Sequence, residues 1–118
     1  MLGVSTLPFP NISPSVPRVK IKTAYLEYGG KKYYPGDTIQ VNYGDKVKYY
    51  VVLAPEGGAF GYYVAIVDEI SGRVIAEEQS AFESDTAVFS GEFRVTSEMN
   101  VRVRAGTSRA NITDERGC

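Results

Sequence analysis

The sequence predicts an all-β fold: an antiparallel sandwich of about seven or eight short strands behind an extended N-terminal arm. Three observations carry this. No stretch sustains a helical apolar period. Short segments alternate apolar and polar residues, the period of a strand buried on one face. Turn residues recur roughly every 8–12 positions, the spacing of a two-sheet antiparallel sandwich. A small barrel or jelly roll is the alternative all-β packing.

The chain of 118 residues is long enough for one domain. Residues 1–17 read as an arm, 18–105 as the folded body and 106–118 as a polar tail. Pro8, Pro10, Pro14 and Pro17 fix φ and withhold backbone donors, which excludes helix and central strand from the arm. The arm carries no charge before Arg18, yet Leu2, Val4, Leu7, Phe9, Ile12 and Val16 are apolar. Such a segment is expected to lie on a partner surface. A body of this size can bury roughly two-thirds of its unfolded surface, so it needs no disulfide or metal to fold.

Within the body, Arg18–Tyr28 is the first strand. Val19 and Ile21 share one face, and Ala24, Leu26 and Tyr28 continue on the opposite parity. That phase change predicts a bulge near Thr23. Gly29-Gly30-Lys31 makes a hairpin turn into the short return Lys32–Tyr34. Pro35-Gly36-Asp37 and Gly44-Asp45 then bracket Thr38–Tyr43, where Ile39, Val41 and Tyr43 alternate with Thr38, Gln40 and Asn42. This stretch is expected to be the strand that organises the fold. Lys46–Leu53 places Val47, Tyr49, Val51 and Leu53 inward. Ala54–Ala59 is a loop, and Phe60–Ile70 is a strand that turns at Ser71-Gly72 into Arg73–Glu78. Gln79–Asp85 reads as irregular. Thr86–Val95 and Met99–Ala105 are the last strands of the body.

The segments Tyr-Pro-Gly-Asp-Thr-Ile-Gln-Val-Asn-Tyr-Gly-Asp-Lys-Val-Lys-Tyr-Tyr-Val-Val-Leu, Val-Asp-Glu-Ile-Ser-Gly-Arg-Val-Ile and Phe-Ser-Gly-Glu-Phe-Arg-Val-Thr-Ser-Glu-Met-Asn-Val-Arg-Val-Arg together resemble prokaryotic and viral immunoglobulin-like modules. These are the fibronectin-III-like sandwiches of microbial surface proteins and virions. The resemblance spans about Val19 to Ala105 and implies an immunoglobulin-like β-sandwich. It brings no catalytic residues, and the Cys–Trp–Cys core of antibody domains is absent.

Composition bounds the function. Thirteen Lys and Arg oppose 14 Asp and Glu, a net charge of −1, so no nucleic-acid partner is expected. The chain has no His, the commonest general base and metal ligand. No Ser or Lys therefore has a partner for hydrolysis, and no catalytic residue, cofactor or enzyme activity is expected. Cys118 is the only cysteine, which excludes an internal disulfide and reads as the end of a polar tail. Two Gln and four Asn are few thermolabile residues, a compositional hint of a thermophilic source. No apolar run approaches the roughly 18 residues of a membrane span, and residues 1–8 lack the basic region of a secretory signal.

Candidate sites each have a plain structural reading beside them. Asp37, Asp45, Asp68, Glu69 and Asp85 are set at turns and strand ends, where carboxylates could gather Ca2+. No calcium-loop spacing occurs, and Asx-turn duty accounts for Asp37 and Asp45. Arg102, Arg104 and Arg109 with Lys20 and Lys22 read as a solvated sheet face rather than a basic stripe. The sequons at Asn11 and Asn111 both fall outside the body and read as chance. Gly57-Gly58 is a loop tip with no phosphate-cradle context. Tyrosine is the prominent residue, with nine copies. The pairs Tyr33-Tyr34, Tyr49-Tyr50 and Tyr62-Tyr63 must each send one ring to either face of a strand. Exposed rings would serve a protein interface or a sugar platform, and buried ones sheet packing. The partner-binding set is therefore expected to be Leu2, Val4, Leu7, Phe9, Ile12 and Val16 in the arm with Tyr34, Tyr50 and Tyr63 on the body.

The functional expectation is a structural subunit of a larger assembly, a minor capsid or decoration protein of a virion that docks on neighbouring protein subunits through its arm. The alternative is an extracellular cell-surface module binding a carbohydrate or protein ligand.

Overall fold

The computed structural model describes residues 18–56, 61–81 and 86–117. These residues form eight strands: β1 (Arg18–Tyr28), β2 (Lys31–Tyr33), β3 (Lys46–Glu56), β4 (Gly61–Asp68), β5 (Arg73–Ala81), β6 (Ala87–Arg94), β7 (Val101–Ser108) and β8 (Asn111–Gly117). They pair into two antiparallel sheets of order β2-β1-β3-β6 and β5-β4-β7-β8. The chain moves between sheets after β3, β5 and β6, and the result is a β-sandwich.

Alternation along each strand builds the interior. Val47, Tyr49, Val51 and Leu53 of β3 face Val64 and Ile66 of β4, with Val19, Ile21 and Ala24 of β1 and Phe89 and Phe93 of β6 completing the layer. Val103 and Ala105 of β7 close it from the second sheet. Burying each such Val, Leu or Ile side chain is worth about 1.5–3 kcal/mol, which makes this layer the main source of stability.

The bulge expected near Thr23 is present. Ile21 pairs with Leu53 and Thr23 with Val52, which leaves Lys22 unopposed. The extra residue returns the apolar set to the inner face, with Ala24 in place of a Thr23 that points outward.

The stretch Thr38–Tyr43 corrects the sequence reading, because it joins no strand ladder. Its alternation persists in burial: Ile39 and Val41 are half-buried, while Thr38, Gln40 and Asn42 are exposed. Tyr43, placed inward by its parity, is 66% exposed. The reason is topological. Around Leu26, β1 already pairs with β2 on one side and β3 on the other, through Leu26↔Tyr33 and Leu26↔Tyr49. The connection from β2 to β3 must cross β1, so the extended residues serve as a strap over the end of the sandwich. Tight turns bracket it: the Asp37 amide donates to the Tyr34 carbonyl at 2.9 Å and the Asp45 amide to the Asn42 carbonyl at 3.1 Å. Gly36 and Gly44, both at φ 98°, supply left-handed conformations that side chains resist.

The polar residues 106–117 also depart from expectation. They complete β7 and form β8, which pairs with β7 from Arg102↔Gly117 to Ser108↔Asn111. The body therefore extends beyond Ala105 to Gly117, and Asn111 is an exposed strand residue. β5 likewise runs on to Ala81 through residues read as irregular.

Candidate functional site

The outer face of the β2-β1-β3-β6 sheet carries a row of aromatic rings. Tyr25 of β1 and Tyr50 of β3 are direct cross-strand partners. Their rings stack with centroids 5.0 Å apart and planes 24° apart. Tyr34, just after β2, extends the row, its ring 5.7 Å from that of Tyr25 and tilted by 51°. The Lys32 ammonium lies 4.9 Å from the Tyr25 ring centre, a cation–π contact.

This geometry determines what the row can offer. Cross-strand side chains stand up from a sheet, so stacked neighbours spend their faces on each other. Tyr25 has Tyr50 on one side, Tyr34 on the other and Lys32 over it. It presents its edge to solvent, not a platform. Tyr34 is 51% exposed, and Tyr50 is half-buried. On the side of Tyr50 toward β6, its partner is the small Ser90. A depression of about 350 Å3 opens there, bordered by Glu27, Lys48, Ser90 and Glu92.

Tyr63 does not join this row. It sits on the opposite sheet, only 4% exposed, and packs with Ala65, Val67 and Ile112. Its hydroxyl donates to Glu77 Oε2 at 2.5 Å, and Arg109 pairs with the other oxygen of that carboxylate. Burial, and then the hydrogen bond to Glu77, push the phenol above its ordinary value. Tyr63 is therefore a packing residue and leaves the partner-binding set. Parity alone could not separate it from Tyr62, because both faces of β4 are covered. The arm residues Leu2, Val4, Leu7, Phe9, Ile12 and Val16 lie outside the described residues.

The Arg residues on that second outer face are matched to carboxylates. Arg104 Nε is 2.7 Å from Glu115 Oε1, Arg102 pairs with Glu69 and Arg109 with Glu77. Arg104 and Arg102 are the cross-strand partners of Ala65 and Val67, and their Nε atoms are buried. The face is charge-balanced rather than a basic stripe, yet Tyr63, Ala65 and Val67 on it are buried, and Lys20 and Lys22 lie on β1 of the other sheet.

The carboxylates weighed as calcium ligands have other duties. Asp37 accepts the Tyr34 amide at 2.8 Å, and Asp45 accepts the Tyr28 hydroxyl at 2.5 Å. That second bond raises the Tyr28 phenol above its ordinary value. Asp68, 3% exposed, accepts the Ile70 and Asn100 amides at 3.0 Å and the Ser71 hydroxyl at 2.8 Å. Among the described residues no group of three or more His, Cys, Asp or Glu is placed to hold a metal ion. Asp85 lies outside them.

A second feature was not legible in the sequence. Beneath the strap, between β1 and the start of β7, lies an apolar cleft of about 450 Å3. Leu26, Val41, Val47, Phe93, Met99 and Val101 contribute to its walls. It exists because the strap crosses the end of the sandwich without pairing. Sequence alternation, read as strand, concealed that. Among the described residues no helix is long and apolar enough to cross a membrane.

No protein-family model matches this chain, and no curated protein matches it. The functional reading therefore rests on the two surfaces above.

Proposed function

We propose that this chain is a non-catalytic structural subunit of a protein assembly, in the setting of a virion a minor capsid or decoration subunit. The sandwich supplies a rigid body, the outer tyrosine row supplies a contact face, and residues 1–17 dock on a neighbouring subunit. The observation that carries this reading is the Tyr34–Tyr25–Tyr50 row. Upright rings offer apolar edges and hydroxyls at low cost in side-chain entropy, the chemistry favoured in protein interfaces. The strand order, with β1, β3 and β6 in one sheet and β4, β5, β7 and β8 in the other, supports the immunoglobulin-like resemblance on which the setting rests.

The mass of the native full-length species tests it. Sedimentation at tens of micromolar is expected to give a species above the monomer. The double variant Tyr34→Ser, Tyr50→Ser is expected to weaken that association while leaving the fold intact. A wild-type chain that stays monomeric across the concentration range, and binds no structural protein of its source, sinks the proposal.

A second reading is an extracellular module for a carbohydrate or protein ligand. The depression beside Tyr50 favours it, since Tyr25, Tyr49 and Tyr50 line a hollow together with Glu27, Lys48 and Glu92. The stacking of Tyr25 on Tyr50 counts against a sugar platform, because it occupies the faces on which a pyranose would rest. A glycan array read with wild type and Tyr50→Ser separates the two readings.

A further inference from the structure

We propose that β6 is a dimerisation edge, pairing antiparallel with β6 of a second copy of this chain about a two-fold axis at Gly91. The proposal rests on the assembly reading above and adds to it the partner and the contact.

β6 ends the β2-β1-β3-β6 sheet and pairs with β3 alone among the described residues. Its backbone shows which groups face the open side. The Val95 amide donates to the Asp45 carbonyl at 2.9 Å, and the Val95 carbonyl accepts the Gly44 amide at 2.6 Å, so both groups of Val95 point to the β3 side. These directions alternate along an antiparallel strand, and no register shift interrupts the β3–β6 ladder. The amides and carbonyls of Val88, Ser90, Glu92 and Arg94 therefore point away from β3. Among the described residues no strand receives them.

The other edges are blunted against strand addition. β2 is three residues long and carries Lys31 and Lys32. β5 carries Glu77 and Glu78 at its middle, and β8 runs Asp114-Glu115-Arg116. β6 has no proline and no bulge, carries no charge from Ala87 to Gly91, and leaves Val88 55% exposed.

The occupant is a second β6 because the strand is complementary to itself, and one chain has a single β6. Opposed residues of an antiparallel pair share a face, so a two-fold pairing centres on a residue. Centred on Gly91, Val88 faces Arg94 of the second copy and Ser90 faces its Glu92. This register engages every outward amide and carbonyl of those residues on both strands. No like charges are opposed, and the Arg94 stem covers the exposed Val88. On the inner side Phe89 faces Phe93, an aromatic pair, and glycine meets glycine at the axis. Centring on Glu92 would oppose two carboxylates. Centring on Ser90 would run Arg94 past the start of the other strand.

Sedimentation of the full-length chain with charge variants at Val88 tests this. In the dimer Val88 continues the cross-strand row of Lys46 and Arg94. Val88→Lys therefore adds a like charge to that row, and Val88→Glu adds an opposite one. Each change acts twice across the axis. Val88→Lys is expected to raise the dimer Kd about tenfold over wild type, and Val88→Glu to leave it equal or lower. Residue-resolved amide exchange of wild type reads the contact directly. The Ser90 and Glu92 amides are expected to be protected at dimeric concentrations and to lose that protection on dilution. Two results overturn the β6 pairing and leave the assembly reading standing: wild type that associates while these amides exchange freely, or Val88→Glu that weakens association as much as Val88→Lys. Wild type that stays monomeric overturns this proposal, and the assembly reading falls with it only if the chain also binds no structural protein of its source.

Discussion

The Thr113 hydroxyl of β8 accepts a hydrogen bond from the Val19 amide at 3.0 Å and donates one to the Val19 carbonyl at 2.6 Å. One side chain thus does for the free edge of β1 what a neighbouring strand would do. Asp114 extends the seam by accepting the Ile21 amide at 2.8 Å. The two sheets are stitched along this side by side chains meeting backbone. Thr113→Val preserves shape and leaves both Val19 groups without a partner. The expected loss is about 1–3 kcal/mol. It is read as a lower urea midpoint at unchanged m, or as a fall in Tm of about 4–8 °C for each kcal/mol.

Asp68 should govern acid stability. Its carboxylate, shielded at the β4–β5 turn, is held below its ordinary value first by the Asn100 amide and next by the Ser71 hydroxyl. A depressed folded pKa means that the unfolded chain takes up this proton more readily. The contribution is therefore complete above the unfolded carboxylate value of about 4 and is lost as pH falls through the folded one. Unfolding free energy measured from pH 6 down to pH 2 should decline below about pH 4. Asp68→Asn should be less stable at neutral pH and show a shallower acid decline. An Asn variant with the wild-type slope would assign the decline to other carboxylates.

The strands with buried faces were legible because alternation and burial coincide in them: Val47, Tyr49, Val51 and Leu53 are all buried as their parity demands. The bulge was legible because an inserted residue shifts that parity at one point. Two regions were not. Thr38–Tyr43 alternates like a strand, but alternation reports which side faces the interior and not whether a pairing edge is free. Residues 111–117 look like a tail because their core contribution is made by few apolar atoms. Thr113 and Asp114 act by hydrogen bonding, which no hydropathy pattern records. Gly106 marks the irregular β7–β8 pairing, since a Cβ there would lie 1.9 Å from the Asn111 carbonyl oxygen. Of the aromatic row, the alternation of paired tyrosines made Tyr34 and Tyr50 candidates, while Tyr25, which stacks between them, needed the register.

The Tyr25–Tyr50 pair should couple measurably. Stacked aromatic pairs contribute about 0.5–1.5 kcal/mol beyond the area they bury. A double-mutant cycle with Tyr25→Ser and Tyr50→Ser, followed by denaturant unfolding, is expected to return a coupling in that range. Tyr34 and Tyr50 do not touch, and their cycle should return little. A coupling near zero for Tyr25 and Tyr50 would mean that the rings are independent in solution, and the row would lose its claim to be a preformed contact face.

Gly91 is required by Tyr49. The two are cross-strand partners, and a Cβ on Gly91 would come within 2.5 Å of the Tyr49 hydroxyl oxygen and 2.7 Å of the ring carbon bearing it. Tyr49 is 7% exposed, and burial followed by the charge of Glu78 raises its phenol above the ordinary value. The ring cannot swing out without exposing its apolar face, so Gly91→Ala must displace β6 or force an unfavourable rotamer. Overpacking of this kind costs about 1–3 kcal/mol. Truncating the ring should relieve the clash, so Gly91→Ala should cost far less in a Tyr49→Val background than in wild type. Tyr49→Val alone leaves a cavity, and the informative quantity is the non-additivity of the pair. If Gly91→Ala is equally costly in both backgrounds, the glycine is there for backbone reasons and the close approach of Tyr49 is incidental.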